Sequence, residues 1–220
     1  MNKKIIIYGG EGNGGVVASC IEDNRNHGDM EYKVYGFLND FLKPSEKING
    51  YPVLGNLNDT HKFLDDPNNY FVWAIHMIGK GQLRENLFNK INLPIERLAT
   101  IIHKTAFVAD NAILDPGVFV MSNSYIGPMA KIGYGTLIMA NCLIGHNTEV
   151  GPLCHFSIGS ITSSYVKMGK SSDIALGAKI IEKVTIGDYS VAGASSLVLK
   201  EIKSKEIHVG IPAQFLRMIK

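Results

Sequence analysis

The stretch Ile126-Gly127-Pro128-Met129-Ala130-Lys131-Ile132-Gly133-Tyr134-Gly135-Thr136-Leu137-Ile138-Met139-Ala140-Asn141-Cys142-Leu143-Ile144-Gly145 decides the fold of this chain. A large apolar residue returns at every sixth position, and a small or slender one follows four places later, at Ala130, Thr136, Cys142 and Thr148. Followed outward, the first series runs from Ile102 through Val108, Leu114 and Val120 to Val198. Only Thr162 and Ala192 depart from a large apolar side chain. The second runs from Ala106 to Ser196, and glycine often follows the large residue, as at Gly127, Gly133, Gly145, Gly151, Gly169, Gly187 and Gly193. A period of six suits neither an α-helix nor a two-residue alternation. It suits a triangular solenoid with one short strand per side and a tight turn at each corner. The large residue fills the prism, the small one fits the corner, and glycine lets the chain bend. Three hexapeptides close a coil, and stacked coils satisfy one another's backbone groups. A sandwich of short strands also carries regular turn signals, but it would not hold one phase for so long. The period predicts an all-β parallel β-helix over residues 101–203.

Residues 1–100 follow other rules. Lys3 to Tyr8 reads as a buried strand, followed by Gly9-Gly10-Glu11-Gly12-Asn13-Gly14-Gly15 and a helix from Val16 to Asn26. Further strands are expected at Lys33 to Leu38 and Tyr70 to Ile75, with an edge segment at Gly50 to Gly55. Helices are expected at Thr60 to Leu64 and Gln82 to Ile91. Such alternation predicts a small parallel α/β, Rossmann-like unit. Residues 204–220 form a short tail, expected to be helical.

Gly10-x-Gly12-x-x-Gly15 formally satisfies a dinucleotide fingerprint between strand and helix. Its glycines let the backbone approach an oxyanion that the helix N-terminus stabilises. About 100 residues are too few for both halves of a dinucleotide fold and a substrate domain. One nucleotide diphosphate across the loop is therefore preferred, with an unliganded glycine turn as the bland alternative.

Lysine and arginine number 22 against 20 aspartates and glutamates, a net charge of +2 in 220 residues. That balance predicts no nucleic-acid or anionic-membrane footprint. The apolar runs are too short for a transmembrane helix, and the N-terminal one is too short for a signal peptide. Cys20, Cys142 and Cys154, odd in number and without C-x-x-C spacing, fit free thiols in the cytoplasm.

A small Rossmann-like unit joined to a hexapeptide β-helix resembles the sialic acid O-acetyltransferase family. That family includes N-acetyltransferases acting on nucleotide-linked 4-amino-4,6-dideoxy sugars. Its Gly-x-x-Gly-His-Gly motif is met by Gly9-Gly10-Glu11-Gly12-Asn13-Gly14, and the polar pair ending its second strand by Phe37-Leu38-Asn39-Asp40. Its His-acid pair, Ile-Gly turn and second histidine are met by His146-Asn147-Thr148-Glu149-Val150-Gly151-Pro152-Leu153-Cys154-His155. Its terminal Gly-x-Pro-Ala is Gly210-Ile211-Pro212-Ala213. The resemblance implies a left-handed β-helix, an exception to the right-handed crossover rule. It also implies a homotrimer with acetyl-CoA between adjacent prisms, and transfer to a nucleotide-linked amino sugar for surface-glycan synthesis. No metal and no membrane insertion are implied. Glu11, Gly12, Asn13, Asn39 and Asp40 would hold the acceptor, while His155, Leu176 and Ala194 would meet acetyl-CoA.

The same resemblance assigns His146 as the base that takes a proton from the attacking amine, with Asn147 beside it. An imidazole suits that work at neutral pH. Asn147 stands where the family has Asp or Glu, and its uncharged amide stabilises an imidazolium less unless Glu149 substitutes. Asn13, in place of histidine, is a second departure. Both leave open sialic acid O-acetylation and a non-catalytic nucleotide-sugar-binding protein. A zinc enzyme would need three converging imidazoles, for which no spacing argues. His27, His61, His76, His103 and His208 are scattered and read as structural or solvated.

Overall fold

The computed structural model describes residues 3–219; Met1, Asn2 and Lys220, at the outer ends of the expected first unit and tail, lie outside them. The first unit comprises β1 (Lys3–Tyr8), α1 (Asn13–Asn26), β2 (Tyr32–Leu38), β3 (Lys47–Ile48), β4 (Tyr51–Gly55), β5 (Asn69–Trp73) and α2 (Gly81–Ile91). The sheet order is β3-β4-β2-β1-β5, parallel except for the β3–β4 hairpin. Strand β1 lies between two neighbours with both faces covered, which is why Ile5 to Tyr8 is an unbroken buried run. Helix α1 starts at Asn13 rather than Val16. Gly14 and Gly15 belong to its first turn, where a Cβ would lie 3.1 Å from Phe37 and 2.5 Å from Asn49. The expected helix at Thr60 to Leu64 is a 3-10 turn, Leu57–Phe63, capped by Asn56 and Asp59.

From β6 (Ile101–Ile102) to β22 (Leu197–Val198) every strand has two residues and pairs in parallel with the strand one coil away. The strands stack into three flat sheets that close a left-handed β-helix. Large and small series together fill its interior, from Val118 and Val120 to Val198 and Ile202. Thr162 is buried there without a partner for its hydroxyl among the described residues.

The glycines work differently from the expectation. Gly127, Gly133, Gly145 and Gly151 are not at left-handed corners; a Cβ on each would come within 2.7 Å of the next coil's backbone. The left-handed position lies three places after each large residue and accepts Met129, Asn147, Leu153, Tyr165 and Tyr189, at φ from 56° to 60°. Close stacking of coils, rather than bending, selects glycine here. Backbone pairing around the closed coil holds the bulky residues in a conformation they otherwise avoid.

The first residue of each strand points outward, and this separates the faces. One face carries Ile101, Phe119, Leu137, His155, Asp173 and Val191, all buried; the first five pack against the α/β unit, and Val191 lies beside the tail. This is the docking face. A second, apolar face presents Phe107, Tyr125, Leu143 and Ile161 to solvent. On the third, Lys131, Glu149 and Lys167 follow one another, with Lys131 and Glu149 3.3 Å apart. The tail is not helical. β23 (Glu206–Val209) extends the docking face beside Val191–Ala192, and β24 (Gln214–Met218) turns back antiparallel to it. The last coil ends in unpaired backbone groups, which an extended tail satisfies and a helix would not.

Candidate active site

The glycine loop forms one wall of a cavity of about 610 Å³ that also meets Asn13, Asn39, Asp40, Phe41, His76 and Met77. Gly9, at φ 140°, turns the chain out of β1. No side chain caps α1; within its first turn Gly15 N–H donates to the Gly10 carbonyl at 3.1 Å. Of the residues expected here, Gly12, Asn13, Asn39 and Asp40 do line the cavity; Glu11 is exposed and does not. Asn39 Nδ2 donates to the Gly9 carbonyl, its Oδ1 accepts from the amides of Phe41 and Leu42, and Asp40 Oδ1 accepts from Leu57 N–H. These side chains thus build the loop as well as line it. Phe41, 94% exposed at the cavity edge, offers an aromatic face that no sequence signal distinguished from a solvated turn residue.

His76 is the larger omission. Its ring lies 5.5 Å from that of His155, reaching across from the α/β unit to the docking face. Asn13 Nδ2 donates to its backbone carbonyl at 3.1 Å. Both imidazoles are buried, and none of their four ring nitrogens has a hydrogen-bond partner among the described residues. Burial, aided by the nearby Arg84 guanidinium, pushes His155 down to about 3 and His76 well below its ordinary value. Both are therefore neutral at pH 7 and cannot balance a phosphate.

His146 occupies a different place. It stands exposed at the corner between the apolar and charged faces, the prism edge opposite the docking face. Its Nδ1 lies 3.0 Å from Asn147 Oδ1, and its ring meets Tyr165 edge-on at 5.1 Å. An amide oxygen only accepts, so Nδ1 is the donor in this contact. Glu149 faces the charged sheet and pairs with Lys131. Within one chain, the structure packs His155 against His76, a lining residue of the glycine-loop cavity, and leaves His146 on the far edge.

A second cavity, of about 640 Å³, lies where the last coils meet the tail and the turn before α2. Ile78, Gly79, Lys80, Ala175, Ala194 and Arg217 are among its lining residues. Ala194 is thus placed on it, and Leu176, 54% exposed, stands one residue beyond Ala175 at the same edge. The three cysteines are free and buried; burial pushes Cys20 and Cys154 up to about 12 and raises Cys142. Among the described residues no cluster of three or more His, Cys, Asp or Glu is placed to hold a metal, and no helix is long and apolar enough to cross a membrane.

Residues 4–91 match the model of the PglD N-terminal domain. The carnitine operon protein CaiE of Escherichia coli is 30% identical over 139 residues, 56% of this chain and 70% of that protein. A variant of perosamine N-acetyltransferase from Caulobacter crescentus, solved with CoA and GDP-perosamine, is 26% identical over 97% of each chain, with a TM-score of 0.80. The acetyltransferase domain of PglB from Neisseria gonorrhoeae, solved with acetyl coenzyme A, matches 98% of this chain and 100% of its own at 24% identity and a TM-score of 0.83. This last likeness concerns the fold alone.

Proposed function

Because the chain belongs to the PglD-like hexapeptide-repeat acyltransferases, we propose that it moves an acetyl group from acetyl-CoA to the amino group of a nucleotide-linked 4-amino-4,6-dideoxy sugar. The observation that carries this reading is the open, glycine-walled cavity in a chain similar, end to end, to an enzyme solved with CoA and GDP-perosamine. The nucleotide diphosphate lies against the glycine loop and the start of α1, with Phe41 stacking on the base. Acetyl-CoA follows the prism edge past Ala175 and Ala194. The reaction supplies surface-glycan synthesis, and the free thiols suit the cytoplasm.

His146 is the general base in this reading. Its Nε2 takes a proton as the sugar nitrogen attacks the thioester carbon; the C–S bond then breaks, and the imidazolium returns a proton to the leaving thiolate. Burial disqualifies His76 and His155 from this work. It also keeps Cys142 and Cys154 as thiols, so transfer is direct rather than through an acyl-enzyme. His146 and the glycine-loop cavity lie on opposite sides of one prism. The site is therefore assembled between neighbouring subunits of a trimer, His146 coming from one and the acceptor cavity from the next.

Two substitutions probe the parts separately. Phe41 is 94% exposed at the edge of the glycine-loop cavity, so Phe41→Ala should leave the thermal midpoint unchanged while removing the aromatic face offered to the base. Steady-state kinetics should show the acceptor KM rising about tenfold, a loss near 1.4 kcal/mol. Asn147→Asp places a carboxylate beside the imidazole and favours its protonated form. The free base then disappears at higher pH, so the acid limb of the kcat profile should move upward. An unmoved limb would separate position 147 from the base.

The reading as a whole is tested by thiol release from acetyl-CoA with UDP-, dTDP- and GDP-linked amino sugars and free sialic acid as acceptors. Turnover on a nucleotide amino sugar supports it. Turnover on sialic acid alone turns the assignment to O-acetylation, and binding without thiol release points to a non-catalytic nucleotide-sugar protein.

A further inference from the structure

Residues 75–80 form a wall with a cavity on either side. Ile75, His76 and Met77 line the glycine-loop cavity, and Ile78, Gly79 and Lys80 line the cavity beside Ala194. Two contacts hold this wall against the prism. The first is the packing of His76 on His155. The second is centred on Asp173, whose Oδ2 accepts from Gly79 N–H at 2.7 Å and whose Oδ1 accepts from Arg84 at 2.6 Å. The same guanidinium donates to the carbonyls of Met77 at 3.2 Å and Leu153 at 2.8 Å. It therefore joins the wall, helix α2 and a prism corner in one arrangement. The Arg84 and Asp173 side chains are 1% and 0% exposed.

A buried ion pair is a weak stabilising device. Desolvating two charges offsets most of their attraction, and apolar replacements of similar volume are often as stable. What this pair does beyond packing is fix a segment: Asp173 accepts from Gly79 of the wall and from Arg84 of α2 beside it, and Arg84 ties the Met77 carbonyl of the wall to Asp173 and Leu153 of the prism. We propose that Asp173 and Arg84 are positioning residues for acyl transfer, fixing the one stretch of chain that bounds both cavities and so setting the separation of acceptor and acyl donor. This rests on the reading of the two cavities as acceptor and donor sites. Neither residue touches the reacting atoms. Their effect passes through the wall, where an ångström of misplacement is enough to slow a bimolecular transfer by about 100-fold.

The test compares the full-length wild type with Asp173→Asn and with the double variant Arg84→Met/Asp173→Leu. Thermal midpoint, kcat, and the affinities for CoA and for UDP, dTDP and GDP, each measured alone by calorimetry, are the readouts. Asp173→Asn leaves Arg84 buried without its counter-charge, and should lower both the midpoint and kcat. The double variant removes both charges and should recover most of the midpoint, with kcat still down about 100-fold and each affinity within about threefold of wild type. Recovery of kcat together with the midpoint would make the pair a structural element only and overturn the proposal. So would a loss of kcat accounted for by lost affinity. Should the double variant not fold, Arg84→Lys keeps the charge but loses the planar fork that serves three acceptors. It should show the same kcat loss at intact affinity, and wild-type turnover there would equally overturn the proposal. Wild-type protein that binds neither CoA nor any of the three nucleotides would instead sink the underlying assignment of the cavities.

Discussion

Replacing His146 by alanine is expected to lower kcat by roughly 10²–10⁴-fold, the usual contribution of a positioned base. The acceptor KM should change much less, because His146 does not line the glycine-loop cavity proposed to hold the nucleotide. Loss of a base leaves attack to amine already unprotonated in solution, so residual turnover in the variant should rise with pH where the wild type is level. The substitution should not disturb the fold: His146 is exposed, and its ring meets Asn147 Oδ1 and the edge of Tyr165 at the surface. Rapid-quench or thiol-release kinetics would check the split between kcat and KM. Near-full activity in His146→Ala would remove His146 as the base. A fall confined to KM would make it a binding residue.

An equally large loss is expected from separating the subunits without touching any site residue. The apolar face carries Phe107, Tyr125, Leu143 and Ile161 in one outward column, with Leu143 and Ile161 in register one coil apart. The charged face carries Lys131 and Glu149 in the equivalent relation. Leu143→Lys/Ile161→Glu copies that pairing, so the prism should tolerate it, while docking a neighbouring prism there would now have to desolvate an ion pair. Light scattering should report a fall from about three times 24.1 kDa to 24.1 kDa. Turnover should fall below detection, since His146 and the proposed acceptor cavity of one chain lie on opposite sides of it. Nucleotide binding should survive, because the glycine-loop cavity is built within a single chain. A fully active monomer would overturn both the trimer and the shared site.

The legible part of this protein is the part whose physics is local. A six-residue recurrence of large apolar residues can be satisfied only by a closed coil, so Ile126, Ile132, Ile138 and Ile144 specify the prism and the inward side of every strand. By the same counting, Leu143 and Ile161 point outward. The run Ile5 to Tyr8 followed by glycines likewise fixes strand, loop and helix start within three residues of where they lie. Local signals mislead where stacking decides. Gly145 looks like a turn glycine but is required by the coil above it, and the tail is extended because the last coil offers an unpaired edge.

What only the tertiary structure decides is which distant residues share a surface. His76 and His155 carry no common motif; they meet because β15, the strand His155–Phe156, lies on the face that the α/β unit covers. Asp173 holds the phase of an outward strand position and would be solvated on either of the other faces. Covered by α2, it must find Arg84, 89 residues away in sequence. His146 has the opposite history: its motif is plain in the sequence, but its distance from the glycine loop follows from its corner on the prism. A repeat determines the shape of a coil, because each residue's environment recurs with the period. It does not determine which of three equivalent faces another unit will cover, since that depends on contacts between segments that share no period.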